Sequence, residues 1–120
     1  PEAGALAGML DAVRAAVEAQ ASSRGCGWEE EPVWRIAPIA FDERLVGLAR
    51  EACAEVAGSD RTMPSGALHD AAEIARRLPA AMMFCPSIGG VSHSPAEDTA
   101  EEDLGAAIAA FGALVARALA

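Results

Sequence analysis

Ala80-Ala81-Met82-Met83-Phe84-Cys85 is a continuous apolar run of strand length, followed at once by Pro86 and a Gly-, Pro- and Ser-rich stretch. Strands buried on both faces read this way, without the alternation of a half-exposed strand. The run therefore predicts an internal strand with the loop Pro86-Ser87-Ile88-Gly89-Gly90-Val91-Ser92-His93-Ser94-Pro95-Ala96-Glu97 at its carboxyl end. Upstream, Leu68, Ala71, Ala72, Ala75 and Leu78 fall at helical spacing, and Pro79 stops the pattern. A helix starting near Ser65-Gly66 thus leads into the strand. Downstream, Thr99-x-x-Glu102 has the form of a capping box. It predicts a last helix with the stripe Leu104, Ala107, Ile108, Phe111, Val115 and Ala118.

The first half continues the alternation. Leu6, Met9, Leu10, Val13 and Val17 predict a helix that ends near Gly25, a residue suited to a left-handed stop. Trp28 to Ile36 alternates loosely and predicts a strand, held to an edge by Pro32. Leu45, Leu48, Ala49, Ala52, Cys53 and Val56 give a second helical stripe, closed at Gly58. A further short strand is expected near Thr62-Met63. This order predicts an α/β fold with helices packed on a small mixed sheet. Two or three strands make a poor sheet alone, so the chain is expected to belong to a larger sheet or to need a partner.

Composition narrows the class of protein. The 120 residues include nine Arg, no Lys, and 18 Asp and Glu, for a net charge of −9. This size suits one ordinary domain, and 52% apolar residues supply material for a core. The acidic balance excludes a phosphate-backbone partner, which calls for a basic patch. No apolar run approaches the about 18 residues of a membrane span. Cys26, Cys53 and Cys85 form no CxxC pair and read as reduced thiols of a cytoplasmic protein. The start Pro1-Glu2-Ala3-Gly4 has no signal-peptide pattern and no Met, which predicts a trimmed chain or one cut from something longer.

Chemistry has few places to sit. His93 lies in the loop after the expected strand, where open α/β sheets place ligands, and Gly89-Gly90 would let backbone approach one closely. It reads as a loop histidine bonded to backbone, or as a metal ligand or general base. His69-Asp70 reads as an acid favouring a helix N-terminus, or as Asp70 orienting the His69 ring or backing a metal ligand. Two histidines cannot complete a zinc site, and no HxxxH or HExxH spacing is present. Ser65 and Ser87 lack the GxSxG setting of a nucleophile, and Ser65 is explained as a helix N-cap. Glu29-Glu30-Glu31 reads as a solvated face, and Arg76-Arg77 as the exposed side of the third helix. Gly89-Gly90 lacks the Lys of a phosphate loop.

Two stretches together go beyond periodicity: Met63-Pro64-Ser65-Gly66-Ala67-Leu68-His69-Asp70-Ala71, and Met82 to Glu97 containing Phe84-Cys85-Pro86-Ser87 and Gly90-Val91-Ser92-His93-Ser94-Pro95. They resemble the C-terminal signature of the zinc-dependent N-carbamoyl-L-amino acid hydrolases and allantoate amidohydrolases, in the aminoacylase and glutamate-carboxypeptidase group of metallopeptidases. The resemblance covers essentially this whole chain but only the last third or so of a typical member. It implies that 1–37 is the closing part of a lid and dimerisation domain, and that 38–120 is the C-terminal part of a catalytic α/β domain.

The resemblance also assigns residues. His93 matches a metal ligand. His69 matches an active-site histidine that binds substrate or stabilises the transition state, with Asp70 behind it. The backbone about Gly66 and Leu68 matches a substrate-binding segment, but Leu68 stands where the family has Gly. A side chain there would narrow the pocket or require a different backbone angle. The implied metal is zinc, or manganese, cobalt or nickel, in the complete enzyme, with none expected in this chain alone. The general base and most metal ligands of the family have no counterpart here.

The resemblance thus implies the C-terminal portion of a binuclear metal-dependent amidohydrolase, acting on the ureido or amide C–N bond of N-carbamoyl amino acids or allantoate. The isolated chain is expected to be inactive. Its partners would be that substrate and either a second copy in a homodimer or a missing N-terminal portion. The competing reading is a stand-alone binding or assembly module derived from the same fold, without catalysis.

Overall fold

The computed structural model describes residues 3–120, so the Pro1-Glu2 start lies outside the described residues. The chain divides into two compact units, Pro1–Pro38 and Ile39–Ala120.

The first unit is built on α1, Ala3–Arg24. Its alanines are strong helix formers, and Gly25 ends it at φ +64°. The Gly25 amide donates to the Ser22 carbonyl at 3.3 Å and the Cys26 amide to the Ala21 carbonyl at 2.9 Å. That pair of bonds is the Schellman ending, which satisfies carbonyls left over at the helix terminus. No α1 residue is buried, and Leu6, Met9, Leu10, Val13 and Val17 all face outward.

Residues 26–42 have no regular secondary structure. A two-pronged ion pair fastens the segment after α1 back onto it. Arg14 Nε donates to Glu30 Oε2 and Nη2 to Glu30 Oε1, each at 2.6 Å, while Nη1 reaches Asp11 at 3.0 Å. This fork holds the Glu30 carboxyl below the usual carboxylate range. A depressed carboxyl contributes stability that is present above its unfolded pKa and lost as pH falls through the folded one. Fluorescence anisotropy of Trp28 and Trp34, both in this segment, is therefore expected to fall below about pH 4. Arg14→Gln should show the low value at neutral pH as well. An anisotropy in that variant equal to the parent's would mean the ion pair does not hold the segment.

The second unit contains α2, Glu43–Ala57, α3, Asp70–Ala75, and α4, Glu101–Leu119. Asp42 caps α2, its carboxylate accepting from the Leu45 amide at 2.9 Å. Gly58 closes α2 at φ +66°, donating to the Ala54 carbonyl at 3.1 Å. The Asp42 amide donates to the Ala80 carbonyl at 2.9 Å, which ties the start of α2 to the Ala80–Cys85 run.

α2 packs on α4 through small residues. Ala49, Ala52 and Leu114 form the buried cluster, with Leu48, Met83 and Ala113 half-buried around it and Ala110 buried on α4. Alanines let the two backbones approach, and Leu114 fills the remaining space. An Arg117–Glu55 ion pair bridges the same two helices at their surface, and Arg50 clasps Asp60 at 2.7 Å. The Arg50 guanidinium holds the Asp60 carboxyl below its ordinary range.

Several expectations are corrected. The mixed sheet is absent: among the described residues there is no strand, and the unit's architecture is helical. A strand exists only by laddering to a neighbour, and neither apolar run has one. Trp28–Ile36 and Ala80–Cys85 fall in different units, and Pro32 removes a donor from the first. Thr62-Met63 likewise has no strand.

Two helix starts also differ. The third helix begins at Asp70 rather than near Ser65, with His69 at its N-cap and no side-chain cap bond. Arg76 and Arg77 lie in the turn that follows it, exposed, with Arg76 Nε 3.1 Å from Glu73. The capping box at Thr99 does not form, because Ala100 occupies the N-cap of α4. Thr99 instead uses its amide, donating to its neighbour Asp98 at 2.8 Å. Glu101, Glu102 and Asp103 fill the first turn and complement the positive end of the helix.

Candidate functional site

His69 is held by a compact turn ahead of α3. Its Nε2 lies 3.0 Å from Ser65 Oγ, and the Ser65 hydroxyl donates to the Ala67 carbonyl at 2.9 Å. Phe84 stands edge-on to the imidazole, with ring centroids 6.4 Å apart and an interplanar angle of 72°. The apolar run Ala80–Cys85 therefore supplies a wall to the histidine even without being a strand. Both Ser65 and His69 are half-buried, and Asp70 is exposed. No side-chain bond joins Asp70 to the His69 ring among those the structure shows.

Leu68 is exposed, and its φ is not positive: His93 is the only non-glycine with positive φ among the described residues. The different backbone angle that a side chain at this position would demand is thus accommodated in an ordinary region. Gly66 also has room about it, with no atom within 4 Å of an added Cβ.

His93 sits in a loop drawn shut at its base, where the Ile88 amide donates to the Asp98 carbonyl at 2.8 Å. Gly89 and Gly90, at φ +66° and +70°, turn the chain through a short 3-10 turn, Ile88–Gly90. His93 itself has φ +55°, a left-handed conformation that costs a non-glycine residue about 1–2 kcal/mol. Two local bonds keep it there. The His93 amide donates to Glu97 Oε2 at 2.8 Å, and the Glu97 amide donates to the Ser94 carbonyl at 3.0 Å. The imidazole is exposed. Strain retained at an exposed, chemistry-bearing side chain is a common mark of a functional position.

The arrangement does not make a metal centre by itself. Among the described residues, no group of three or more His, Cys, Asp or Glu is gathered to hold a metal ion. A structural or catalytic site needs at least three protein ligands, so a metal does not fit these residues alone. Neither of two surface hollows among the described residues is lined by a histidine. A groove along α1 is lined by Val13, Val17, Ala21 and Cys26, and a second lies between Phe41-Asp42 and Arg76–Pro79. No helix of the described residues is long and apolar enough to cross a membrane. Cys26 and Cys85 are exposed free thiols and Cys53 is a half-buried one.

Of the three side chains that shape the two histidines, Phe84 and Glu97 were not singled out in the sequence, and Ser65 was read only as a helix N-cap. Ser65 lies four residues before His69 and Glu97 four residues after His93, so spacing alone offered a hint. Phe84 is brought to His69 only by tertiary contact.

The sequence profile of Peptidase family M20/M25/M40 matches residues 24–117, and the chain belongs to that family. Its relatives narrow the neighbourhood. An N-carbamoyl-L-amino-acid amidohydrolase of Rhizobium meliloti is 39% identical over 97 residues, which cover 78% of this chain and 23% of that protein. An allantoate amidohydrolase of Bacillus subtilis is 53% identical over 70 residues, 58% of this chain and 17% of that protein. An allantoate amidohydrolase of Escherichia coli is 45% identical over 67 residues, 56% of this chain and 16% of that protein. The chain thus spans about a fifth of the length of the curated relatives it matches. No solved structure matches it significantly.

Proposed function

We propose that these 120 residues are the C-terminal portion of a metal-dependent amidohydrolase that cleaves the ureido or amide C–N bond of N-carbamoyl amino acids or allantoate. The observation that carries the reading is the 53% identity to an allantoate amidohydrolase together with the match to N-carbamoyl-L-amino-acid amidohydrolases. Residues 1–37 correspond to the end of a lid and dimerisation domain, and 38–120 to the end of the catalytic domain. His93 serves as one ligand of a divalent metal, zinc by default, whose other ligands lie outside this chain.

His69 faces the substrate, and the backbone at Gly66 and Leu68 lines its binding segment. Leu68, exposed where the family has glycine, reduces the room at that point and biases the site toward smaller substrates. Asp70 opens α3, and its side chain is not bonded to the His69 ring. The complete enzyme works as a homodimer in the cytoplasm.

The test pairs this chain with the remaining N-terminal part of the Bacillus subtilis relative. Hydrolysis of N-carbamoyl-L-alanine and of allantoate is followed by released ammonia. The chain alone is expected to be inactive, and the mixture active with added zinc or manganese. Hydrolysis by the chain alone would overturn the divided site. Silence of a mixture that forms a stable complex would favour instead a non-catalytic binding or assembly module of the same descent.

A further inference from the structure

The turn before α3 contains a chain of hydrogen bonds whose direction can be settled from valence alone. A serine hydroxyl has one proton to give and lone pairs to accept with. Ser65 gives its proton to the Ala67 carbonyl at 2.9 Å, and a carbonyl can only accept. Toward His69 Nε2, 3.0 Å away, Ser65 Oγ is therefore an acceptor, and Nε2 must carry hydrogen. In a neutral imidazole this leaves Nδ1 as the bare lone pair. Nδ1 has no hydrogen-bond partner among the described residues. Phe84 stands edge-on to the same ring, which limits its tilt.

We propose that Ser65 is a positioning residue that fixes His69 as the Nε2–H tautomer, so that Nδ1 is the nitrogen left to accept a hydrogen bond from an N–H of the ligand. A ureido group offers such donors, and a plain ester or carboxylate does not. The ligand half of the inference rests on the function proposed above; the tautomer half stands on this chain's geometry alone. Ser65 acts through His69 and touches no substrate itself. A threonine keeps the hydroxyl and should preserve the arrangement, whereas an alanine removes the acceptor.

The experiment is a long-range proton–nitrogen correlation spectrum of the ligand-free, 15N-labelled 120-residue chain at about pH 8.5, where ordinary imidazoles are neutral. His69 is expected as the pure Nε2–H form, with its ring N–H proton protected from exchange with water. In Ser65→Ala the protection is lost and the two tautomers mix; in Ser65→Thr both features return. Far-ultraviolet circular dichroism checks that the variants keep their helices. An Nδ1–H ring in the parent chain, measurable without any variant, overturns the proposal. So does a Ser65→Ala spectrum identical to the parent's. Because the tautomer is read without ligand or turnover, its outcome is separate from that of the complementation assay. In the complemented enzyme, Ser65→Ala should raise KM for N-carbamoyl-L-alanine several-fold with less change in kcat, and Ser65→Thr should restore KM. An unchanged KM there would sink the ligand role of Nδ1.

Discussion

Leu114→Ala is expected to lower the unfolding free energy of the Ile39–Ala120 unit by about 2–5 kcal/mol, the range for emptying a leucine site in a packed core. Leu114 is 8% exposed and is the largest side chain in a buried cluster otherwise made of Ala49 and Ala52. Alanines cannot collapse far enough to refill the space it leaves, so the cost should lie away from the low end. A domain of this kind has about 5–15 kcal/mol in all, and the loss is a large share of it. Urea titration followed by circular dichroism reads the effect. Leu119→Ala is the control: Leu119 lies five residues further along the same helix but is 83% exposed, and its loss should fall within about 0.5 kcal/mol. If the two variants lose the same amount, the α2–α4 contact is not what holds this unit together.

The second large effect concerns His93 and separates stability from chemistry. At φ +55° a glycine is at ease and an alanine is not. His93→Gly should therefore be more stable than His93→Ala by about 1 kcal/mol in urea titration. Both variants should nevertheless abolish hydrolysis in the complemented enzyme. Losing a residue that merely supports a metal ligand costs 10–100-fold, so losing a ligand should cost more than about 100-fold. A site that is strained for function gains stability when the functional side chain is removed. Activity surviving in either variant would remove His93 from the metal site. Equal stabilities of the two would mean that the bond from the His93 amide to Glu97, and not the backbone angle, dominates the loop.

The helices were legible to different degrees, for physical reasons. α2 could be read from its apolar stripe and its stop at Gly58, while the Asp42 cap at its start emerges only from the structure. α1 was equally readable, with Gly25 making the expected left-handed stop. The Ala80–Cys85 run misled because apolarity reports burial or contact, and a ladder needs a second strand that no local pattern guarantees. The run is used otherwise, half-buried Met83 packing beside the α2–α4 cluster and exposed Phe84 standing edge-on to His69. The capping box failed by a single position: Thr99 has the right chemistry, but the helix starts after Ala100.

The site was legible as residue types and not as an arrangement. The pattern picked out His69 and His93 before any coordinates. The bonds that orient them involve Ser65 and Glu97, whose roles depend on turns of positive φ and on a carbonyl at Ala67 that no motif encodes. Ser65 was assigned to capping a helix that begins five residues later. The resemblance to the amidohydrolases pointed to both histidines, and the turn geometry gives the direction of the hydrogen bond between Ser65 and His69.

The distribution of the thiols gives this chain a ready-made pair of reporters. Cys26 belongs to the first unit and Cys85 to the second, and both are exposed, while Cys53 on α2 is partly covered. Replacing Cys53 by alanine would leave one maleimide-reactive position in each unit. A donor and an acceptor dye attached there would read the distance between those two positions as energy transfer. The same labels could then follow the binding of an added N-terminal fragment in real time and without a substrate.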